Sequence, residues 1–320
     1  MADLNVTFAG LALASPLIVE FCDEIPQQDT VADLAEAGIG AFLLPPLNET
    51  RLDWEADPSE MAENNVNDAA RRESERIRRD MNRDAYLEKI AEIAEVTSVP
   101  VIASLQCARR NQWVNTAHMM SNAGASAIEL HPLSEKDWRT SRSDRIEKEI
   151  IRTTGLVATR IDTPVVVRLV AAPYGMQTLV QSLGESSAKG VVLTGSDYLT
   201  TIDADSGTTD SVSLEGRRSD AAYMNALAAL HVLYRRVTPH LAARIPADRV
   251  SALTECVLAG ATLAVLPVTQ PLEERARSIV TEHISTLHGW MRRKGYSSLF
   301  DFRGVLSDSR RSSSLENPAD

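Results

Sequence analysis

A phrase repeats along this 320-residue chain: a segment of helical periodicity, then Ala-Gly or Lys-Gly, then a short apolar run. It appears as Ala37-Gly38-Ile39-Gly40-Ala41-Phe42-Leu43-Leu44 and as Ala123-Gly124-Ala125-Ser126-Ala127-Ile128-Glu129-Leu130. It returns as Lys189-Gly190-Val191-Val192-Leu193-Thr194 and as Ala259-Gly260-Ala261-Thr262-Leu263-Ala264-Val265-Leu266. Glycine after a helix is expected in the left-handed conformation, and an apolar run without alternation reads as a strand covered on both faces. Three more such runs follow a proline, at Pro16, Pro100 and Pro164, where a strand's first residue need not donate to the ladder. Helical periodicity fills the intervals at 29–37, 82–96, 113–123, 143–159, 175–188, 220–235, 248–258 and 272–293. A weaker seventh strand is placed at 237–244. Eight strands alternating with eight helices predict a closed (β/α)8 TIM barrel in a single domain. An open doubly wound sheet is the alternative, but no G-x-G-x-x-G follows the first strand.

Three segments stand outside the repeat. Residues 4–13 alternate around Gly10 and read as a β-hairpin preceding the first strand. Long excursions follow strands two and six, at 45–80 and 195–219, where barrels carry active-site lids. The first contains the run Arg71-Arg72-Glu73-Ser74-Glu75-Arg76-Ile77-Arg78-Arg79-Asp80, read as a solvated helix face of mixed charge. The barrel is expected over 1–306, with a disordered tail over 307–320 that contains Arg310-Arg311-Ser312-Ser313-Ser314.

Charge and cysteines narrow the partners. Asp and Glu (44) outnumber Lys and Arg (33), giving a net charge of −11. That disfavours nucleic acid and an anionic membrane, both of which need a basic footprint. No apolar run approaches the ~20 residues that span a bilayer. Cys22, Cys107 and Cys256 are scattered, with no C-x-x-C, and read as reduced thiols. With no basic, apolar leader at the start, a cytoplasmic protein is expected.

In a barrel, chemistry sits where strands end. Those positions hold Glu20, Cys22 and Asp23; Pro45-Pro46; Gln106 and Cys107; His131 and Ser134; Thr194, Gly195 and Asp197; Ile245-Pro246; and Pro267. Arg168 stands inside an otherwise aliphatic strand five. Burying a guanidinium unpaired is prohibitive. It therefore belongs either to an internal ion pair, for instance with Glu129 on the neighbouring strand, or to an anionic ligand at the mouth. His131 reads first as a hydrogen-bonding structural group. Cys22 and Cys107 end strands one and three and could approach it, but nothing at metal-ligand spacing supports a metal site. No strand contains a lysine, which leaves no Schiff-base candidate.

Read in order, these residues resemble class 1 dihydroorotate dehydrogenases, in particular a dihydroorotate dehydrogenase-like subgroup. The stretch Asp3-Leu4-x-Val6-Thr7-Phe8-x-Gly10-Leu11-x-Leu13-x-x-Pro16-Leu17-Ile18-Val19 resembles that family's hairpin and first strand. Leu43-Leu44-Pro45-Pro46-Leu47 and Val99-Pro100-Val101-Ile102-Ala103-Ser104-Leu105 resemble the next two strand ends of the family. Ile202-Asp203-x-Asp205 and the closing Trp290-Met291, Tyr296-x-Ser298-Leu299, Arg303-Gly304 and Ser307 follow in the same order.

The resemblance implies FMN at the mouth, hydride transfer from a CH–CH donor to the flavin, a place in pyrimidine biosynthesis, and a homodimer. By position it makes Ser134 the base and Arg168 the counterpart of a flavin-supporting lysine. It places Gln106, Thr194 and Gly195 against the cofactor, and His131, Cys107 and Cys22 against a small anionic substrate. The chain departs from the family where phosphate is gripped: Ile245, Pro246 and Pro267 replace turns whose N–H groups converge on the anion. Losing two or three such bonds, at ~1.5–3 kcal/mol each, weakens FMN by orders of magnitude. Two readings follow. One is an FMN-type oxidoreductase with impaired or lost catalysis. The other is a flavin-free barrel, a pseudoenzyme acting as a binding or scaffold protein.

Overall fold

The apolar runs pair in parallel and close on themselves. A computed structural model describes residues 2–48, 83–107, 110–132, 142–172, 175–195, 198–203, 208–213, 220–269 and 273–307. Two short strands come first, β1 (Val6–Phe8) and β2 (Leu11–Leu13), antiparallel with Val6 opposite Leu13, as the alternation around Gly10 predicts. The barrel strands are β3 (Leu17–Phe21), β4 (Phe42–Leu43), β6 (Val101–Gln106), β7 (Ala127–Leu130), β8 (Val165–Val170), β9 (Gly190–Thr194), β12 (His240–Arg244) and β13 (Leu263–Val268). Each pairs in parallel with the next in that order. Val265 of β13 lies beside Ile18 of β3, which shuts the ring. Pro45-Pro46 interrupts the second strand, because prolines donate nothing to a ladder; a two-residue piece, β5 (Leu47–Asn48), resumes pairing beside Leu105 and Gln106.

Helices α1 (Gln28–Glu36), α2 (Arg83–Val96), α3 (Arg110–Asn122), α4 (Ser143–Ala158), α5 (Met176–Glu185), α6 (Asp220–Leu233), α7 (Ala252–Ala259) and α8 (Ala276–Lys294) alternate with the strands. One face of each strand packs against this outer layer, Val19, Leu105, Val167 and Leu266 among others, in one continuous core. None of these helices is long and apolar enough to cross a membrane.

The repeated glycine phrase conceals two mechanisms. Gly38, Gly124 and Gly260 do have positive φ (86°, 107° and 118°). Gly190 does not: the left-handed residue after α5 is Ser187, at φ 72°. Gly190 opens β9, and a Cβ there would lie 2.8 Å from the Phe8 ring. It is glycine because the hairpin's phenyl ring enters the bottom of the barrel against it.

Three other expectations shift. The seventh strand begins at His240 rather than 237, since residues 234–239 are spent on a turn with Arg235 at φ 62°. Within the second excursion, β10 (Tyr198–Asp203) and β11 (Thr208–Ser213) form an antiparallel hairpin, Tyr198 opposite Ser213. Ser307, expected in the tail, is fully buried, and its hydroxyl donates to the Gly304 carbonyl at 2.6 Å. The rest of the expected tail, 308–320, and the 71–80 run with most of the first excursion lie outside the described residues.

Candidate functional site

Strand side chains alternate between barrel interior and helix layer, so successive inward positions build horizontal layers. The lower layer is apolar: Ile18, Leu43, Ile102, Ala127, Val166, Val192, Ala242 and Val265 meet Phe8, Ala9 and Leu13 of the hairpin. Two residues further along the strands the layer turns polar: Glu20 of β3, Ser104 of β6, Glu129 of β7, Arg168 of β8 and Arg244 of β12.

These side chains form one connected network. Arg168 Nε and Nη2 both donate to Glu129 Oε2, at 3.1 and 2.9 Å, and Ser104 Oγ donates to the same oxygen at 2.7 Å. On its other edge, Arg168 Nη1 lies 2.7 Å from Glu20 Oε1. In the ring, β3 and β8 stand four strands apart in either direction, so this contact spans the barrel's diameter. Arg244 Nε sits 2.9 Å from Glu20 Oε2, an ion-pair contact in which the N–H is not aligned on the oxygen. Arg244 Nη2 donates to Cys22 Sγ at 2.9 Å. Among the described residues, two guanidinium groups face two carboxylates, for a formal sum of zero. The side chains of Glu129, Arg168 and Glu20 are 0, 2 and 4% exposed.

Bare charges at that depth are prohibitive, and each here faces an opposite charge, while Glu129 Oε1 is buried with no hydrogen-bond partner among the described residues. Tyr86 of α2 reinforces the layer from outside. Its hydroxyl donates to the Pro45 carbonyl at 3.0 Å and accepts from the Ser104 N–H at 3.1 Å, which pins the end of β4 to β6 beside the network. Burial pushes that phenol well above its ordinary range.

The remaining candidates separate. Arg168 is in the internal ion pair with Glu129, one of its two sequence readings. Gln106 and Cys107 are buried at the end of β6, with Gln106 Oε1 accepting from Asn48 at 2.9 Å. His131 is buried, and its backbone N–H donates to Leu105 O at 2.9 Å. Thr194 Oγ1 donates to the neighbouring Gly195 carbonyl at 3.1 Å. Gly195 backs directly onto Ala222 of α6, leaving no room for a side chain. Cys22 is half-buried beside Arg244. Ser134 lies outside the described residues. Among the described residues, no group of three His, Cys, Asp or Glu side chains is placed to hold a metal ion.

At the position where a flavin phosphate would be gripped, the Ile245 N–H is already spent on Val265 O at 2.9 Å, and Pro246 and Pro267 have no N–H to offer. The turn after β12 is tied down by its own side chains. Arg249 grips Glu255 with two bonds at 3.0 Å, and Tyr223 of α6 donates to the same carboxylate at 2.8 Å. Burial raises the Glu255 carboxyl, but hydrogen bonds from Arg249, Ser251 and Tyr223 outweigh it and hold the group below its usual range. Among the described residues, Ile245, Pro246 and Pro267 leave no N–H for an FMN phosphate.

Arg244, Ser104 and Tyr86 escape the sequence reading. One signal for Arg244 is available in the chain: a second cation ending a strand, two residues after an inward-facing Ala242. No protein-family model and no curated protein matches this chain.

Proposed function

We propose that this chain is a flavin-free barrel of dihydroorotate dehydrogenase-like descent that acts as a binding or scaffold protein. The observation that carries the reading is the commitment of Arg168 on both edges, to Glu129 and to Glu20 across the barrel. A reduced flavin or an anionic substrate needs a nearby cation with charge to spare. Among the described residues of this layer each positive charge is matched by a negative one, and displacing a carboxylate to admit a ligand leaves that carboxylate buried with its partner lost. The spent amide of Ile245 and the absent N–H groups of Pro246 and Pro267 act in the same direction. Work is then left to the rim and the outer surface.

The test is the visible spectrum of the purified protein, alone and after incubation with excess FMN and gel filtration. A colourless protein whose melting temperature FMN leaves unmoved is expected. A yellow, stoichiometric flavoprotein would overturn the reading and restore the oxidoreductase.

A further inference from the structure

Inside the barrel Arg168 and Arg244 meet carboxylates, and on its outside Arg249 and Arg277 do the same. Arg303 does not. This half-buried residue lies at the bottom of the barrel, just after the turn that follows α8. Its Nη1 donates to Thr262 Oγ1 at 3.4 Å, and its Nε is buried with no hydrogen-bond partner. Among the described residues no carboxylate pairs with it. The acids close by are engaged elsewhere. Asp301 accepts from the N–H groups of Ser297 and Ser298 at 2.9 and 2.8 Å, and Asp3 Oδ1 accepts from the Asn5 N–H at 2.9 Å. A guanidinium drawn partly out of water without a counter-charge is costly.

Other donors collect around it. Thr262 stands just before β13, and its N–H donates to Leu241 O at 2.7 Å, which sets it beside the start of β12. Because Thr262 Oγ1 accepts from Arg303, its own hydrogen is left over, and none of the described residues takes it. His240 opens β12. Its Nδ1 accepts from the Ala9 N–H, so the neutral ring carries its proton on Nε2, a further donor. Arg303 is near enough for its charge to disfavour protonation of that ring. A second cation is close: Arg235 lies 5.5 Å over the Tyr234 ring, and that ring presses on Gly304, the residue after Arg303.

We propose that Arg303, Thr262 and His240 form an anion site at the bottom of the barrel that takes a single phosphate group. A guanidinium, a hydroxyl and an imidazole N–H are a donor set for tetrahedral oxygens, which accept charge-assisted bonds. With a net charge of −11 the chain as a whole repels anions, so capture needs a local cation that no carboxylate has claimed. The site lies at the opposite end of the barrel from the strand ends and uses none of their residues. The inference goes beyond the flavin-free reading and does not depend on it.

Titration of the full chain with inorganic phosphate, against potassium chloride at matched ionic strength, tests it by NMR of the histidine ring signals. The His240 signal, identified by its loss in His240→Gln, should move with phosphate and reach half-saturation at about 1 mM or below. Arg303→Met should weaken binding by at least about tenfold, the loss of a charge-assisted bond. Should that variant fold poorly by circular dichroism, Thr262→Val decides instead, with a loss of about threefold or more. Phenyl phosphate separates the two sources of the anion. Tighter binding than inorganic phosphate assigns the site to the end of a larger molecule, and equal or weaker binding to the free ion; either upholds the site. A His240 signal that phosphate moves no more than chloride does would overturn the proposal. So would a folded Arg303→Met, or in its place Thr262→Val, that binds phosphate as tightly as the wild type.

Discussion

The two ends of the barrel interior are filled by opposite chemistry. At the bottom, apolar side chains from the strands close around Phe8, a plug delivered by a hairpin from outside the ring, and Gly190 gives up its side chain to admit it. Two residues higher, the strands fill the space themselves, with two carboxylates and two guanidinium groups tied across the diameter. An apolar layer is specified by volume, and its parts can be exchanged if the volume is kept. An ionic layer is specified by partnering: it tolerates removal of a matched pair far better than removal of one member. The same cylinder thus has a forgiving floor and an unforgiving upper storey, and the unforgiving one stands nearer the strand ends, where barrels carry their chemistry.

Breaking the upper layer should give the largest effect. Arg168→Ala strips two buried carboxylates of a shared cation and is expected to lower unfolding free energy by about 3–5 kcal/mol in urea titration. At the floor, Gly190→Ala pushes a methyl group into the Phe8 ring and should cost about 1–3 kcal/mol as overpacking. Phe8→Leu in the same chain should recover part of that loss, whereas a cost unchanged by Phe8→Leu would show that the ring is not what Gly190 accommodates.

The smallest effect is a pH dependence at the floor. His240 Nδ1 accepts from the Ala9 N–H at 2.9 Å, so the hairpin needs the ring neutral. Burial, with Arg303 nearby, lowers the pKa of this histidine in the folded chain. The unfolded chain therefore binds the proton more readily. The contribution of His240 should be fully present above about 6.5 and decline as pH falls below it. His240→Gln keeps an acceptor and does not titrate, so the stability difference between it and wild type should change with pH across that window. A constant difference would remove His240 from the account.

Much of this was legible in the residues themselves. Apolar runs after glycine and proline mark the strands because a barrel strand is covered on both faces. The pairing of Arg168 with Glu129 follows from adjacency, since strands four and five must be neighbours in any such barrel. Glu20 and Arg244 are another matter. They join the network only because the sheet closes, which carries strand one to the far side of the ring from strand five. Periodicity along a strand contains no information about what lies across the diameter. Gly190 and Gly195 mislead for a related reason: each reads as a local backbone device or a lost side chain, while each is set by a distant group, Phe8 or Ala222, that needs the space. Tyr86 comes from a helix whose start gives no sign that one phenol will bridge two strands.

The central claim is that the upper layer satisfies its own charges. A double-mutant cycle on Arg168 and Glu129, read by urea denaturation, addresses it most directly. Arg168→Met and Glu129→Leu should each destabilise strongly, and the double variant should lose less than the sum, because Glu20 and Arg244 remain to neutralise one another. Additive losses, or an Arg168→Met protein as stable as the wild type, would mean that this cation is not held by its neighbours and is kept for something that binds from outside.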